Sequence, residues 1–176
     1  MSASSHLLNY FHEVVLADTE FRPRGDGLQE VRCVCALELG SGREHRLWCD
    51  APTPCPYPVD ARCLFVAHYA SAELLSHGSL GWPQPANVLD TCVEFAAMTA
   101  GKRRKDQGRS LPAALTYLHL PHIEQEEKDE MRALALVDKR NHEYTPAERA
   151  ALVNYCWSDV AGMAALLTVL EGHLCQ

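Results

Sequence analysis

Apolar and polar positions along the chain predict strands in the first part and helices in the second. Residues 13–21 form a short apolar run that ends in carboxylates, a pattern typical of a buried strand with polar groups at its end. Residues 31–39 and 43–49 predict two further strands, joined by a Gly-Ser-Gly turn. The prolines of residues 52–58 favour a loop, because proline cannot donate to a sheet ladder. Three consecutive strands with short turns predict an antiparallel meander.

Strands and helices alternate in the rest of the pattern, and the helices collect toward the C-terminus. Further buried strands are predicted at residues 62–67 and 87–91. Helices are predicted at residues 71–80, 92–100, 110–118, 124–137 and 146–174. Thr145 and Glu148 have the spacing of a capping box at the start of the last helix, and Gly162 marks a break within it. This order predicts an α/β fold with one mixed central sheet of about five strands and helices on both faces.

Length and composition narrow the class of protein. A chain of 176 residues that is 47% hydrophobic and 22% charged is expected to form a single domain over residues 1–176, with a loose N-terminal arm at 1–11. The longest apolar run, residues 163–170, is too short for a membrane span, so we expect no membrane partner. The net charge of -7 argues against coating nucleic acid by bulk charge, but it leaves a local binding site open.

Eight cysteines are present, most of them inside apolar segments, and no pair has C-x-x-C spacing. Buried reduced thiols in a cytoplasmic protein are the favoured interpretation, with a zinc site as the alternative.

Five residues are candidates for chemistry. Asp18 and Glu20 are two positions apart in a strand and therefore project to the same face, where they suit a hard divalent cation. The same pattern also occurs on solvated strand ends. Tyr155 and Asp159 lie one turn apart on a helix, with a core aromatic and a solvated charge as the alternative. Glu73, in the first turn of a helix that follows a buried strand, either faces the strand ends or simply favours the helix dipole.

The order of these residues resembles the DEDD (DnaQ-like) superfamily of 3′–5′ exonucleases. Within it, the chain is most similar to the proofreading domain of family A DNA polymerases from bacteria and phages. The resemblance spans residues 13–170 and rests on three motifs: Ala-Asp18-Thr-Glu20-Phe, the segment from Phe65-Val-Ala-His-Tyr-Ala-Ser-Ala-Glu73 to Asp90, and Tyr155-x-x-x-Asp159.

The resemblance implies a ribonuclease H-like fold and two Mg²⁺ or Mn²⁺ ions held by four carboxylates. These would hydrolyse the terminal phosphodiester of a single-stranded DNA 3′ end, in proofreading or repair. Asp18, Glu20 and Asp159 correspond to metal ligands, and Tyr155 to the residue that orients the attacking water. Asn154 stands where another branch of the superfamily has histidine, which favours the tyrosine branch. Glu73 replaces the usual aspartate as the fourth ligand, and Asp90 is the rival for that role.

Contacts to nucleic acid are expected from basic and aromatic side chains. The basic loop at residues 102–109 is either solvated or a contact to a single strand. The candidates are Phe21, Tyr69, Lys102, Arg103, Arg104, Lys128 and Arg132. The protein is expected either to stand alone or to be the separate proofreading partner or a fragment of a DNA polymerase, which is then its protein partner. The alternatives are an exoribonuclease of the same superfamily and a catalytically inactive nucleic-acid-binding or structural domain.

Overall fold

The computed structural model describes residues 5–102, 108–122 and 125–174, the last range with its side chains from residue 128. Its five strands form one sheet in the order β3-β2-β1-β4-β5. The strands are β1 (Glu13–Pro23), β2 (Gln29–Glu38), β3 (Glu44–Trp48), β4 (Cys63–Ala67) and β5 (Val88–Asp90). β1, β2 and β3 are antiparallel neighbours, whereas β4 and β5 run parallel to β1. The predicted mixed sheet with an antiparallel meander is confirmed.

Helices cover both faces of the sheet, as predicted. They are α1 (Ala70–Leu80), α2 (Thr91–Met98), α3 (Leu111–Tyr117), α4 (Gln125–Leu136) and α5 (Pro146–Leu174). Alternate residues of β1 face opposite layers of the core, as a period of two requires. Val14 and Leu16 pack in the layer that contains α5, while Val15 and Ala17 pack in the layer that contains Ala70 of α1. Asp18 and Glu20 follow Val14 and Leu16 at alternate positions, so their side chains also face the layer that contains α5.

The long strand β1 does not end at its carboxylates. Its parallel pairing with β4 stops at Leu16, opposite Val66, but its antiparallel pairing with β2 continues to Pro23. Asp18 and Glu20 therefore lie beside the point where β4 leaves the sheet, supported by β2 on the other side.

A bulge in β2 lies directly opposite the end of this acidic segment. Glu20 pairs with Cys33 and Phe21 pairs with Val31, which leaves Arg32 as the extra residue. Cys33 lies in the α5 layer, whereas Val31 lies in the α1 layer, so the bulge reverses which residues face which layer. This places a charged side chain inside the molecule.

The Arg32 guanidinium is fully buried and holds the C-terminal end of α4. It donates hydrogen bonds to the carbonyl oxygens of Ala135 (3.2 Å) and Val137 (2.9 Å), and to the side-chain oxygen of Asn141 (2.6 Å). Its charge is paired with Glu30 at 2.8 Å. Arginine can serve this role because its planar fork offers five donors in fixed directions.

Helix α5 is continuous from residue 146 to residue 174, so the predicted break at Gly162 is wrong. A Cβ added at Gly162 would lie 2.9 Å from Leu115 Cδ1, so this glycine permits α3 to approach α5 closely. The predicted capping box is confirmed: Thr145 N–H donates to Glu148 Oε2 (2.7 Å), and Glu148 N–H donates to Thr145 Oγ1 (3.2 Å).

By length and composition alone α5 could cross a membrane, since its most apolar 18-residue window has a mean hydropathy of 1.3. Core helices of soluble proteins pass the same test. Here one side of α5 packs in the core through Leu152, Val160 and Leu166, among others.

Residues 5–11 differ from the loose arm that the sequence predicts. Residues His6–Asn9 form a short 3₁₀ helix, and Leu7 is buried in the α5 layer of the core. Ser5 and the backbone N–H of His6 both donate to the buried carboxylate of Glu171. An apolar anchor and a buried acceptor hold this segment in place.

Candidate metal centre

Three carboxylates meet between β1 and α5. Asp18, Glu20 and Asp159 each offer one oxygen, and these oxygens all lie within 4.8 Å of one another. Asp18 and Glu20 share a face of β1, and α5 places Asp159 over that face. The Cys156 thiol of α5 also donates to the Asp18 backbone carbonyl at 3.2 Å. Among the described residues this is the only group of three or more metal-ligating side chains.

Two buried carboxylate oxygens in this region have no hydrogen-bond partner. They are Asp18 Oδ2 and Glu73 Oε2. Glu73 is 3% exposed and lies in the first turn of α1. An unpartnered buried acceptor costs about 1–3 kcal/mol, and more when it is charged. A bound cation would remove this cost, so the oxygen-rich donor set fits a hard divalent ion.

The electrostatics support the same conclusion. Burial, followed by repulsion from Asp159, raises the pKa of Asp18 to about 8. Burial, followed by the charge of Asp18, likewise raises the pKa of Glu20 and of Glu73 well above the usual value. Without a metal these carboxyls therefore retain protons to unusually high pH. Perturbed acids that cluster beside a cleft are typical of functional sites.

Asp90, the rival for the fourth position, has both its oxygens occupied by backbone groups. Its Oδ1 accepts from the N–H groups of Tyr69 (3.1 Å) and Cys92 (2.9 Å), and its Oδ2 accepts from Ala70 N–H (2.9 Å). Asp90 thereby caps α1 and α2 together. It also holds Tyr69 in the left-handed region at φ 64°, an uncommon conformation for a bulky residue. Glu73 keeps an oxygen without a partner, whereas Asp90 does not.

Lys128 enters the carboxylate cluster from α4. Its Nζ donates to Asp159 Oδ1 at 2.7 Å and to Oδ2 at 3.0 Å, and lies 5.4 Å from the centre of the Tyr155 ring. From the sequence this residue is expected to contact nucleic acid. In the structure its charge is instead directed at a predicted metal ligand.

A cleft of about 350 Å³ opens onto this cluster. It is lined by Asp18, His68, Tyr69, Ser110, Leu111, Pro112, Lys128, Asp129, Arg132, Tyr155 and Asp159. Tyr155 is half-buried, and burial raises the pKa of its hydroxyl further above the usual value. The phenol therefore remains protonated at physiological pH. On its other side lies a smaller cleft of about 270 Å³, lined in part by Glu20, Phe21 and Arg132.

Some of the predicted nucleic-acid contacts line a cleft in the structure, and others do not. Tyr69, 49% exposed, and Arg132 line the main cleft, and Phe21 lines the smaller one. Lys102 is exposed and lines neither cleft. Arg103 and Arg104 lie outside the described residues.

A larger cavity of about 720 Å³ lies between the N-terminal segment and α5. Its one buried acid, Glu171, already accepts hydrogen bonds from Ser5 and His6. This cavity lacks the convergent acids of the smaller cleft.

His68 is a cleft residue that the sequence does not single out. Its Nε2 donates to the Arg109 carbonyl at 2.9 Å, and its Nδ1 lies 3.0 Å from Thr91 Oγ1. Burial lowers the pKa of His68, so it stays neutral near pH 7. Its position directly after a buried strand is a sequence signal, but its partners lie far along the chain.

The seven described cysteines form no disulfide with one another. They also take no part in the metal-ligating group found among the described residues. The interpretation of the cysteines as reduced thiols agrees with this part of the structure.

Comparison with known proteins gives a similarity in fold. No protein-family model matches the chain, and neither does any curated protein sequence. A solved structure described as the apo form of a nuclease is similar over 99% of this chain and 78% of its own, with a TM-score of 0.59 and 17% sequence identity. The chain therefore shares an α/β fold with a nuclease.

Proposed function

We propose that this protein is a metal-dependent 3′–5′ exonuclease of the DEDD superfamily, tyrosine branch, with a ribonuclease H-like fold. The observation that carries the proposal is the partly buried carboxylate cluster with Glu73 nearby, where the buried oxygens Asp18 Oδ2 and Glu73 Oε2 lack a partner. The motif order in the sequence and the fold shared with a nuclease support it. Single-stranded DNA with a free 3′ end is the proposed substrate.

The acids of the cluster would hold Mg²⁺ or Mn²⁺, two ions in all. Asp18, Glu20 and Asp159 supply the oxygens that lie within 4.8 Å, and Glu73 completes the set from α1. Glutamate at this position extends one methylene farther than the usual aspartate. Bound divalent ions supply an activated water and stabilise charge on the leaving oxygen.

The chain's own residues would orient the reactants. The Tyr155 phenol stays protonated and borders both clefts, and its hydroxyl would orient a water beside Asp159. Arg132 also borders both clefts and would contact the phosphate backbone. The Tyr69 ring at the rim would stack on a terminal base. His68 is neutral and tied to backbone and Thr91, so we assign it a structural role rather than that of a base.

The cellular setting follows from the same proposal. The described cysteines form no disulfide with one another, which favours a reducing intracellular compartment. A DNA polymerase on a separate chain is the proposed partner in a proofreading role.

The experiment is a digestion of 5′-labelled single-stranded DNA and RNA oligonucleotides with Mg²⁺, Mn²⁺ or EDTA. We expect a ladder of DNA products shortened from the 3′ end, formed only with metal. Glu20→Gln should abolish the ladder by removing one ligand. Glu44→Gln is the matched control, because Glu44 is exposed on β3 and paired only with Arg46 among the described ion pairs.

Each other outcome has a definite meaning. Shortening of RNA alone would replace DNA with RNA as the substrate. Loss of label as a mononucleotide would indicate attack from the 5′ end. No shortening of either polymer with either metal would overturn the catalytic proposal and leave a binding or structural domain.

A further inference from the structure

Lys128 donates to both carboxylate oxygens of Asp159, a residue that the proposed function makes a metal ligand. We propose that Lys128 is a tethered counter-cation, which neutralises Asp159 in the metal-free protein and is displaced when a divalent ion binds. This inference rests on the proposed metal-dependent function and adds a mode of regulation to the same site.

The contact between Lys128 and Asp159 involves both carboxylate oxygens. With Nζ at 2.7 Å and 3.0 Å from them, the ammonium lies across the face of the carboxylate that a cation would approach. The lysine is 8% exposed, which is unusual for this residue type, and the Tyr155 ring supports its charge at 5.4 Å. This is a built, partly desolvated ion pair and not a solvated surface contact.

The balance of charge explains why a cation is placed there. Asp18, Glu20 and Asp159 converge with Glu73 nearby, and Lys128 is the one basic residue that the described ion pairs bring to this group. A single positive charge can neutralise only one ionised carboxylate of the four, and Lys128 is placed on Asp159. The remaining unpartnered oxygens, on Asp18 and Glu73, show where the compensation is incomplete. A divalent ion would supply more charge and could use those oxygens.

Displacement would also give the lysine a second role. Lys128 lines the same cleft as Arg132 and Tyr69, so an ammonium released from Asp159 enters the space proposed for the substrate. There it would face a phosphate. Without metal, Lys128 would stay on Asp159 and would not contact a phosphate. Metal binding would release its ammonium for contact with the substrate.

The first test measures the accessibility of the Lys128 amine. The wild-type protein is treated briefly with an acylating reagent, with and without saturating Mg²⁺, and modification is quantified by peptide mass spectrometry. We expect Mg²⁺ to increase modification of Lys128 several-fold. Lys139 is an internal control, because it pairs with Glu148 at 2.7 Å and lies 4.2 Å from the Tyr144 ring, away from the cluster. Its modification should not change.

The second test measures Mn²⁺ affinity directly by calorimetry and by the loss of the free-ion electron paramagnetic resonance signal. Lys128→Met removes the competing charge, so we expect its Kd for Mn²⁺ to fall by about tenfold, which corresponds to about 1.4 kcal/mol. Lys139→Met should bind Mn²⁺ as the wild type does.

The outcomes separate this inference from the proposed function. If the wild type binds Mn²⁺ and digests DNA, but Lys128 stays protected and Lys128→Met binds no tighter, the exchange is refuted and the nuclease remains. If neither the wild type nor Lys128→Met binds Mn²⁺ and no DNA is digested, the metal-dependent function fails, and the exchange with it.

Discussion

Replacing Asp18 with asparagine should stabilise the metal-free protein while abolishing its response to metal. Asparagine has nearly the same shape as aspartate, so the packing of β1 against α5 is retained. What disappears is a carboxyl whose ionisation is opposed by burial and by Asp159, and which has an oxygen without a partner. A metal-ligating side chain is expected to destabilise the metal-free fold, because its surroundings suit the bound ion.

The magnitude follows from the pKa of Asp18, which is about 8 in the folded chain against an ordinary value of 3.8. At about 1.36 kcal/mol per pH unit, this difference sets a ceiling of about 4 kcal/mol at pH 7. The raised pKa of Asp18 depends in part on the neighbouring acids. When Asp18 is replaced, a neighbour ionises more readily, and this offsets part of the gain in stability. We therefore expect a gain of about 1–2 kcal/mol, or about 2–8 °C in Tm for a domain of this size.

The pH dependence has a definite sign. A carboxyl whose folded pKa is raised binds its proton more tightly when folded, so its contribution to stability is present at low pH and lost as pH rises toward 8. In EDTA, the wild-type Tm should therefore rise as pH is lowered from 8.5 to 6. Asp18→Asn should flatten this slope.

Thermal unfolding followed by circular dichroism, in EDTA and in Mn²⁺, is the assay. Glu148→Gln is the opposite control: Lys139 and Thr145 lower the pKa of Glu148 to about 2, so its charge stabilises the fold and its removal should lower the Tm. A lower Tm for Asp18→Asn than for the wild type in EDTA would show that Asp18 is structural and that its carboxyl does not destabilise the metal-free fold.

Two other pairs of substitutions test the fourth ligand and the helix contact. Glu73→Gln should reduce DNA digestion at least about 100-fold with an unchanged or higher Tm in EDTA, and a wild-type rate would exclude Glu73 as a ligand. Asp90→Ala should instead lower the Tm by about 2–8 °C, because about 1–2 kcal/mol of helix capping is lost. Gly162→Ala should be less stable than Gly172→Ala by about 1–2 kcal/mol, because its Cβ would lie 2.9 Å from Leu115 Cδ1 and force this buried side chain to shift. Gly172→Ala, at an open position of the same helix, should be neutral or stabilising by up to about 1 kcal/mol, and equal Tm changes for the two variants would refute the role of close packing.

The spacing of residues along the chain predicts those features that depend only on the geometry of one strand or one helix end. The shared face of Asp18 and Glu20 follows from the strand period, and the capping box of Thr145 and Glu148 follows from their separation along the chain. The mixed sheet follows from the order of the apolar runs. That α5 brings Asp159 to Asp18 depends on packing between elements about 140 residues apart, and only the resemblance to a family suggested it.

Other features depend on partners that spacing does not encode. The pattern around Arg32 alternates like a regular strand, so the bulge and the buried guanidinium are not visible in it. Asp90 and Glu73 are both acids beside a helix start, and only the backbone N–H groups around Asp90 distinguish a cap from a candidate ligand. Gly162 looks like a helix break because its packing partner lies on another helix.

Arg32 fixes one end of α4, so a tilt of this helix about that end would displace its other end. Its C-terminal end is fixed at Ala135 and Val137, while Lys128 lies seven residues earlier, about 10 Å along the axis. A tilt of about 15° around the fixed end moves that point by about 3 Å, enough to break a contact of 2.7 Å between Lys128 and Asp159. Such a tilt would withdraw the Lys128 ammonium from Asp159 with α4 still helical and with Asp18 and Glu20 still held by the sheet.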